Sequence, residues 1–390
     1  MKITLLSAAA AAAYFFFSFT TAIAQDADVA VPFAEGVVEE ISLPYPPVTE
    51  TQLGGTGPIV WSRTIRRFGT QIMQLEITDR GTDPGSDGTV EFWDSNGEAR
   101  DLFDAATLAG EGTIWTNVIV GNTVDVVVRG GRSEDFKFEV TAVSYEKSGI
   151  RLESITGDNN LTHMIAYTGD FTLDNPGVPA AVAKLSIIKT DPDTGQRGRG
   201  ACTGFMVSED LMITNEHCVN SAQECRETKI LFGFEENQNG NAVAKDQYAC
   251  GELVAVSAEK DAALLRVKER FLVSPPGSDN KYGHLTLASG NEVTQGTKIF
   301  IIQHPGGEPK QISDIDCLVD LTPVNGYATD LDFAHTCDTI TGSSGSPVLN
   351  GQGEVVGLHH LGHDSSGRFV DLNRAVHIRH VMSEFAAHLP

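Results

Sequence analysis

Three residues of this 390-residue chain could together perform nucleophilic chemistry: His217, Asp261 and Ser344. His217 follows Ile213-Thr214-Asn215-Glu216 and precedes Cys218, Asp261 opens Asp261-Ala262-Ala263-Leu264-Leu265, and Ser344 lies in Thr341-Gly342-Ser343-Ser344-Gly345-Ser346-Pro347. A serine hydroxyl is a poor nucleophile at neutral pH. It needs an imidazole to take its proton and a carboxylate to hold that imidazole in the right tautomer. Singly, each fragment has an ordinary explanation: a Gly/Ser turn, a surface histidine beside a disulfide, a solvated loop acid. Jointly, in the order His, Asp, Ser, they point to acyl transfer by an activated serine. An α/β-hydrolase elbow is excluded, because its G-x-S-x-G pattern needs Gly where Ser346 stands.

Such residues need a scaffold. From Ala181 onward short apolar runs recur between turns, among them Lys184-Leu185-Ser186-Ile187-Ile188, Leu211-Met212-Ile213-Thr214, Lys298-Ile299-Phe300-Ile301-Ile302 and Val355-Val356-Gly357-Leu358-His359. Strands this short and frequent suit β-barrels rather than βαβ units. Val376, Val381, Met382, Phe385 and Leu389 lie at near-helical spacing and predict a C-terminal amphipathic helix on the second barrel. Residues 56–147 read as a small antiparallel β-sandwich, a pro- or accessory domain, from runs such as Gln71–Ile77, Thr89–Trp93, Thr123–Val128 and Phe136–Val140. Residues 25–55 are acidic, Pro-containing and non-periodic, which reads as a linker or pro-segment. Residues 144–180 read as a connector. Residues 1–24 read as a signal peptide: Lys2, then an apolar stretch from Leu5 to Phe19, then Ala22-Ile23-Ala24 before Gln25. No cationic stop-transfer cluster follows, so the expectation is export, extracellular or periplasmic, without a membrane anchor after signal cleavage.

Cys202-Thr203-Gly204-Phe205 through His217-Cys218, the Asp261 strand start and Gly342-x-Ser344-Gly345-x-Pro347 resemble the chymotrypsin-fold serine peptidases over residues 154–390. Gln303-His304-Pro305-Gly306-Gly307 and the Ser344 turn resemble the bacterial glutamyl endopeptidase-like branch. The resemblance implies an all-β fold of two six-stranded barrels with a C-terminal helix and an endopeptidase that acts on proteins or peptides. Ser344 would be nucleophile, His217 the base, Asp261 its orienting carboxylate, and the Gly342 and Ser344 N–H groups an oxyanion hole. It departs at Ser343 and Ser346, both found in that branch, and at Asn215-Glu216, which leaves His217 in place. Thr339, five before Ser344, and His359, fifteen after it, stand where that branch binds an acidic side chain. On a strand, His359 and His360 face opposite sides, so one of them enters the pocket. Asp338, six before Ser344, stands where trypsin-like enzymes bind Lys or Arg, so cleavage after Glu or Asp is preferred over a basic alternative without being settled. Glu153–Asp158 resembles the start of the mature chain in that branch; residues 25 to about 153 would then be a zymogen pro-region cut by an activating protease, with an ordinary interdomain linker an equal alternative. Gly112–Thr116 and Val120–Asn122 resemble N-terminal β-domains of some secreted bacterial trypsin-like peptidases.

All six cysteines fall between Cys202 and Cys337. They suit an oxidising compartment, and of fifteen connectivities we rank first Cys202–Cys218, Cys225–Cys250 and Cys317–Cys337. No C-x-x-C pair exists to favour zinc, no H-E-x-x-H unites His359, His360 and His363, and His377/His380 suit a helix end; no metal or cofactor is expected. The net charge of −24, from 52 acidic against 28 basic residues, argues against nucleic acid or an anionic membrane as partner. A catalytically silent binding protein on the same fold is the remaining alternative.

Overall fold

The computed structural model describes residues 36–45, 59–132, 134–147, 155, 158–169, 177–191, 194–269, 282–289, 293–362 and 372–390. The expected signal peptide and most of Glu153–Asp158 lie outside these residues. Six strands, Val182–Thr190, Arg197–Met206, Leu211–Thr214, Lys229–Phe232, Asp246–Ser257 and Ala262–Glu269, pair antiparallel along one path. Pairing of the first with the second, from Val182↔Phe205 to Thr190↔Arg197, closes them into a barrel. Alternation along Val182–Thr190 explains its composition. Ala183, Leu185 and Ile187 enter the barrel core. Lys184 and Ser186 point the other way and are still fully buried, because the N-terminal sheets cover that face.

The second sheet runs through Thr162–His163, Gln311–Ser313, Phe300–Gln303, Pro347–Leu349, Val355–Leu361, Asn373–His377, Asp332–His335 and Val319–Val324. A bridge between Lys298 and Leu318 brings its last strand back to Phe300–Gln303. The fold is thus a chymotrypsin-like double barrel with few helices. One hydrophobic cluster spans both barrels and includes Phe205, Phe232, Phe300, Phe333 and, from the C-terminal helix, Val381. Each such side chain stabilises the fold by about 1.5–3 kcal/mol through burial. The helix itself is Ile378–Glu384, shorter than the apolar spacing suggested. Val376 belongs instead to the strand before it, where Asp332 and Leu358 are its partners across the sheet.

Upstream, Ile59–Arg66, Thr123–Arg129, Thr89–Trp93 and Ala99–Asp104 form a four-stranded sheet. Its inner face shares a core with Gly36–Tyr45, Phe138–Lys147 and Thr70–Asp79, where Tyr45, Trp61, Phe136 and Phe138 pack ring against ring. The reading of residues 25–55 as linker requires correction: Gly36–Tyr45 is a strand. Its apolar residues Ile41, Leu43 and Tyr45 alternate into the core. Its acidic residues face outward onto arginines, Glu39 onto Arg67 and Glu40 onto Arg197. The same strand pairs at Gly36 and Val37 with Arg199 and Gly198, so one sheet runs from the N-terminal region into the first barrel. The connector reading is corrected at its start too, since the strand beginning at Phe138 continues to Lys147.

Candidate active site

His217 sits in the turn after strand Leu211–Thr214, and Asp261 immediately before strand Ala262–Glu269; these strands are neighbours, with Thr214 opposite Ala263. That register brings the two side chains together. His217 Nδ1 lies 2.8 Å from Asp261 Oδ2, and the His217 backbone N–H donates to Oδ1 at 3.0 Å. Asp261 has φ of +43°, a left-handed conformation costly for a residue other than glycine. The fully buried Asn215 donates to its carbonyl at 2.8 Å, which braces that turn. Cys202 and Cys218 are joined, tying the residue after His217 to strand Arg197–Met206; Cys225–Cys250 and Cys317–Cys337 are the other two bonds. Cys202, His217 and Cys218 come close enough to suggest a metal site, but the two sulfurs are committed to each other.

A residue that sequence reasoning left without a role completes this cluster. His360 is 4% exposed, and both of its ring nitrogens meet carboxylates: Nδ1 is 3.3 Å from Asp261 Oδ2, and Nε2 is 2.8 Å from Asp332 Oδ2. Ionised carboxylates only accept hydrogen bonds, so the ring must carry both protons. Burial opposes its charge, but Asp332 and Asp261 overcome that and push its pKa up to about 9. Asp261 shows the mirror image. Burial would raise its carboxyl, and His217 and His360 outweigh this to hold it well below the usual carboxylate range. The only sequence signal for His360 was its alternation with His359; nothing local pointed to Asp332.

The Ser344 turn is built by glycines that no other residue could replace. Gly342 has φ of +97° and Gly345 φ of +85°. A Cβ on Gly345 would stand 2.0 Å from the Thr203 carbonyl, and one on Gly342 would stand 2.7 Å from both Gly307 N and His304 O. The turn is held from several sides. Thr203 donates through its N–H to Ser344 O at 2.8 Å and through its hydroxyl to Gly342 O at 2.9 Å, while Gly345 N–H donates to His359 O at 2.9 Å. The N–H groups of Ser343, Gly345 and Ser346 all have carbonyl acceptors. Among the described residues, those of Gly342 and Ser344 have none. Two backbone donors two residues apart, without partners among the described residues, in a turn this firmly held, make a ready anion cradle.

Asp338, Thr339 and His359 are each nearly fully buried. The Asp338 carboxylate accepts the Asn160 backbone N–H at 2.8 Å, so it is engaged with the chain's own upstream segment. His359 turns away from Asp261, and its Nδ1 lies 3.2 Å from Nε2 of the buried His335. Burial first, then the neighbouring His335 and His360, keeps His359 uncharged far below the usual histidine range. Burial also lowers His335, to about 3.

A family model described as a trypsin-like peptidase domain matches residues 202–358. The chain is 28% identical over 306 residues to secreted RxLR effector protein 73 of Plasmopara viticola, covering 73% of this chain and 70% of that protein. It is 25% identical over 187 residues to a glutamyl endopeptidase of Staphylococcus epidermidis, covering 47% of this chain and 60% of the relative. A match to uncharacterized protein y4fB of Sinorhizobium fredii, 27% identical over 189 residues, covers 28% of that protein. The chain therefore spans less than two thirds of either bacterial relative. Family match, fold and strand register agree on a trypsin-like peptidase domain over residues 202–358, set in a chymotrypsin-like double barrel and similar to the glutamyl endopeptidase relative.

Proposed function

We propose that the protein is an exported serine endopeptidase in which Ser344, His217 and Asp261 act as the triad and cleavage follows Glu in preference to Asp. The observation that carries this reading is the His217–Asp261 pair together with a turn whose Gly342 and Ser344 N–H groups lack acceptors among the described residues. With Nδ1–H donated to Asp261, the His217 ring presents Nε2 as a base. Ser344 Oγ attacks the scissile carbonyl as Nε2 takes its proton. The developing oxyanion is received by the N–H groups of Gly342 and Ser344. Collapse of the tetrahedral species expels the amine, protonated by His217, and water hydrolyses the acyl-enzyme by the same steps in reverse. Ser344→Ala, correctly folded, should lose hydrolysis of a peptide ester by several orders of magnitude, and wild-type protein should react with a fluorophosphonate. Near-wild-type turnover by Ser344→Ala sinks the assignment.

The acidic preference draws support from the glutamyl endopeptidase relative and from the engagement of Asp338 by Asn160. A lysine or arginine side chain entering the pocket would have to displace that N–H. Cleavage-site profiling on a denatured proteome should show Glu at the cut position, and His359→Leu should depress cleavage after Glu more than cleavage elsewhere. A profile dominated by Lys and Arg, abolished by Asp338→Ser, would reverse this preference and leave the peptidase assignment standing. Export is supported by three disulfides and by a relative named as secreted.

A further inference from the structure

Lys184 is fully buried on the outer face of the first barrel and makes two polar contacts. One is with Glu146, at 2.8 Å, which belongs to strand Phe138–Lys147 of the N-terminal region. The other is the backbone carbonyl of Gly307, which accepts from Nζ. The ammonium also lies 4.7 Å from the centre of the Phe234 ring. Arg199, equally buried, shares the same carboxylate through its Nε at 3.1 Å. Two buried cations of the barrel therefore share, as their hydrogen-bonded carboxylate, one that the barrel does not contain, with Glu308 acting on Lys184 only at longer range.

Gly307 is also joined to the nucleophile turn. Gly306 N–H donates to Thr341 O at 2.6 Å, and Gly307 N–H donates to His304 O at 3.0 Å. Both atoms of that second bond stand 2.7 Å from where a Gly342 Cβ would be. The Gly306–Gly307 turn, with φ of +65° and +72°, is thus the surface on which Gly342 rests. A chain of contacts runs from Glu146 to Lys184, to Gly307, to Gly342.

We infer that Glu146 and Lys184 are positioning residues for the oxyanion-binding turn, which makes the N-terminal β-region a working part of the active peptidase rather than a segment discarded on maturation. The inference rests on the catalytic reading of Gly342 above. It requires that Glu146 remain seated on Lys184 when the enzyme turns over, whether or not the chain is cut elsewhere.

The test uses the full chain with Glu146→Gln, which keeps shape and removes the charge, and with Glu146→Leu/Lys184→Met/Arg199→Met, which removes all three buried charges together. Hydrogen exchange of the hydrogen-bonded amides of Gly306, Gly307, Glu308 and Ser343 should become at least tenfold faster in both, while exchange in strand Phe300–Gln303 is unchanged. This readout does not need activity, so it judges the coupling even if the peptidase reading fails. In active protein, kcat should drop about tenfold with KM nearly constant, and affinity for a peptidyl trifluoromethyl ketone should fall by the same factor while a product peptide binds as before. A purely structural role would change unfolding temperature and leave these ratios alone. Unaltered exchange and hemiketal affinity in the triple variant overturn the inference. So does full activity in a purified natural form that lacks residues 36–147.

Discussion

Two buried charge networks border the first barrel, one at the candidate site and one at the junction with the N-terminal region, and they are unbalanced in opposite directions. Beneath the site, the His360 cation is shared between Asp261 and Asp332, two carboxylates facing one ring. At the junction with the N-terminal region, the Glu146 carboxylate is shared between Lys184 and Arg199. Burial penalises charge in both places, yet only the first turns that penalty into a sharper proton affinity, because imidazole can gain or lose its charge near neutral pH. In the second, burial would raise the Glu146 carboxyl, but Lys184 and Arg199 outweigh this and hold it low, while burial lowers both cations. One network senses protons; the other fastens two parts of the chain.

Removing the shared partner should expose this difference most strongly at the junction. Glu146→Leu leaves two cations buried without a carboxylate and should destabilise the protein by roughly 3–5 kcal/mol in urea unfolding. Replacing all three ionic groups by apolar ones should recover most of that loss. If the single and triple variants are equally unstable, shape rather than charge holds the junction together.

The site network has an additional covalent brace. Opening Cys202–Cys218, with a sequence separation of 16 residues, should cost about 3 kcal/mol on the chain-entropy account. It should also slow acylation, since His217 adjoins Cys218. Double Cys→Ser protein that matches wild type in both unfolding midpoint and acylation rate would show that strand register alone positions His217.

A smaller effect separates the networks by pH. The His360 pKa is raised to about 9 from an ordinary value near 6.5. Its stabilising contribution is therefore complete below about pH 6.5 and is lost as pH rises through 9, a change on the order of 3 kcal/mol. His335, lowered to about 3, acts in the other direction, losing its contribution as pH falls from 6.5 towards 3. Asp261, also lowered, adds to the loss on the acid side. Asp332→Asn should flatten the alkaline part of the stability curve; an unchanged slope between pH 7 and 9.5 would remove His360 as its source.

The site's first layer was legible because each residue carried a local signature: a glycine-bracketed serine, a cysteine-flanked histidine, an aspartate opening an apolar strand. The second layer was not. Asp332 and His360 meet only because Asp332–His335 and Val355–Leu361 both flank Asn373–His377 in the curled sheet, and no spacing along the chain encodes that. Barrel strands were readable from alternation, whereas Gly36–Tyr45 was masked by its own acids, whose arginine partners Arg67 and Arg197 lie far along the sequence. The dependence of Lys184 on Glu146 was invisible for the same reason. A lysine within Lys184-Leu185-Ser186 reads as a solvated face until something is seen to cover it.

Gly36 and Val37 do one more thing by pairing with Arg199 and Gly198. Near its start, Arg197–Met206 would otherwise offer unpaired N–H and C=O groups along one margin, a template onto which another chain could add itself. The first residues of Gly36–Tyr45 occupy that margin. They close it with Gly36 and Val37, followed by Glu39 and Glu40, which pair with Arg67 and Arg197. The short run first read as linker or pro-segment thus covers a strand margin, and a chain shortened past Val37 should form intermolecular β-structure before it loses its core.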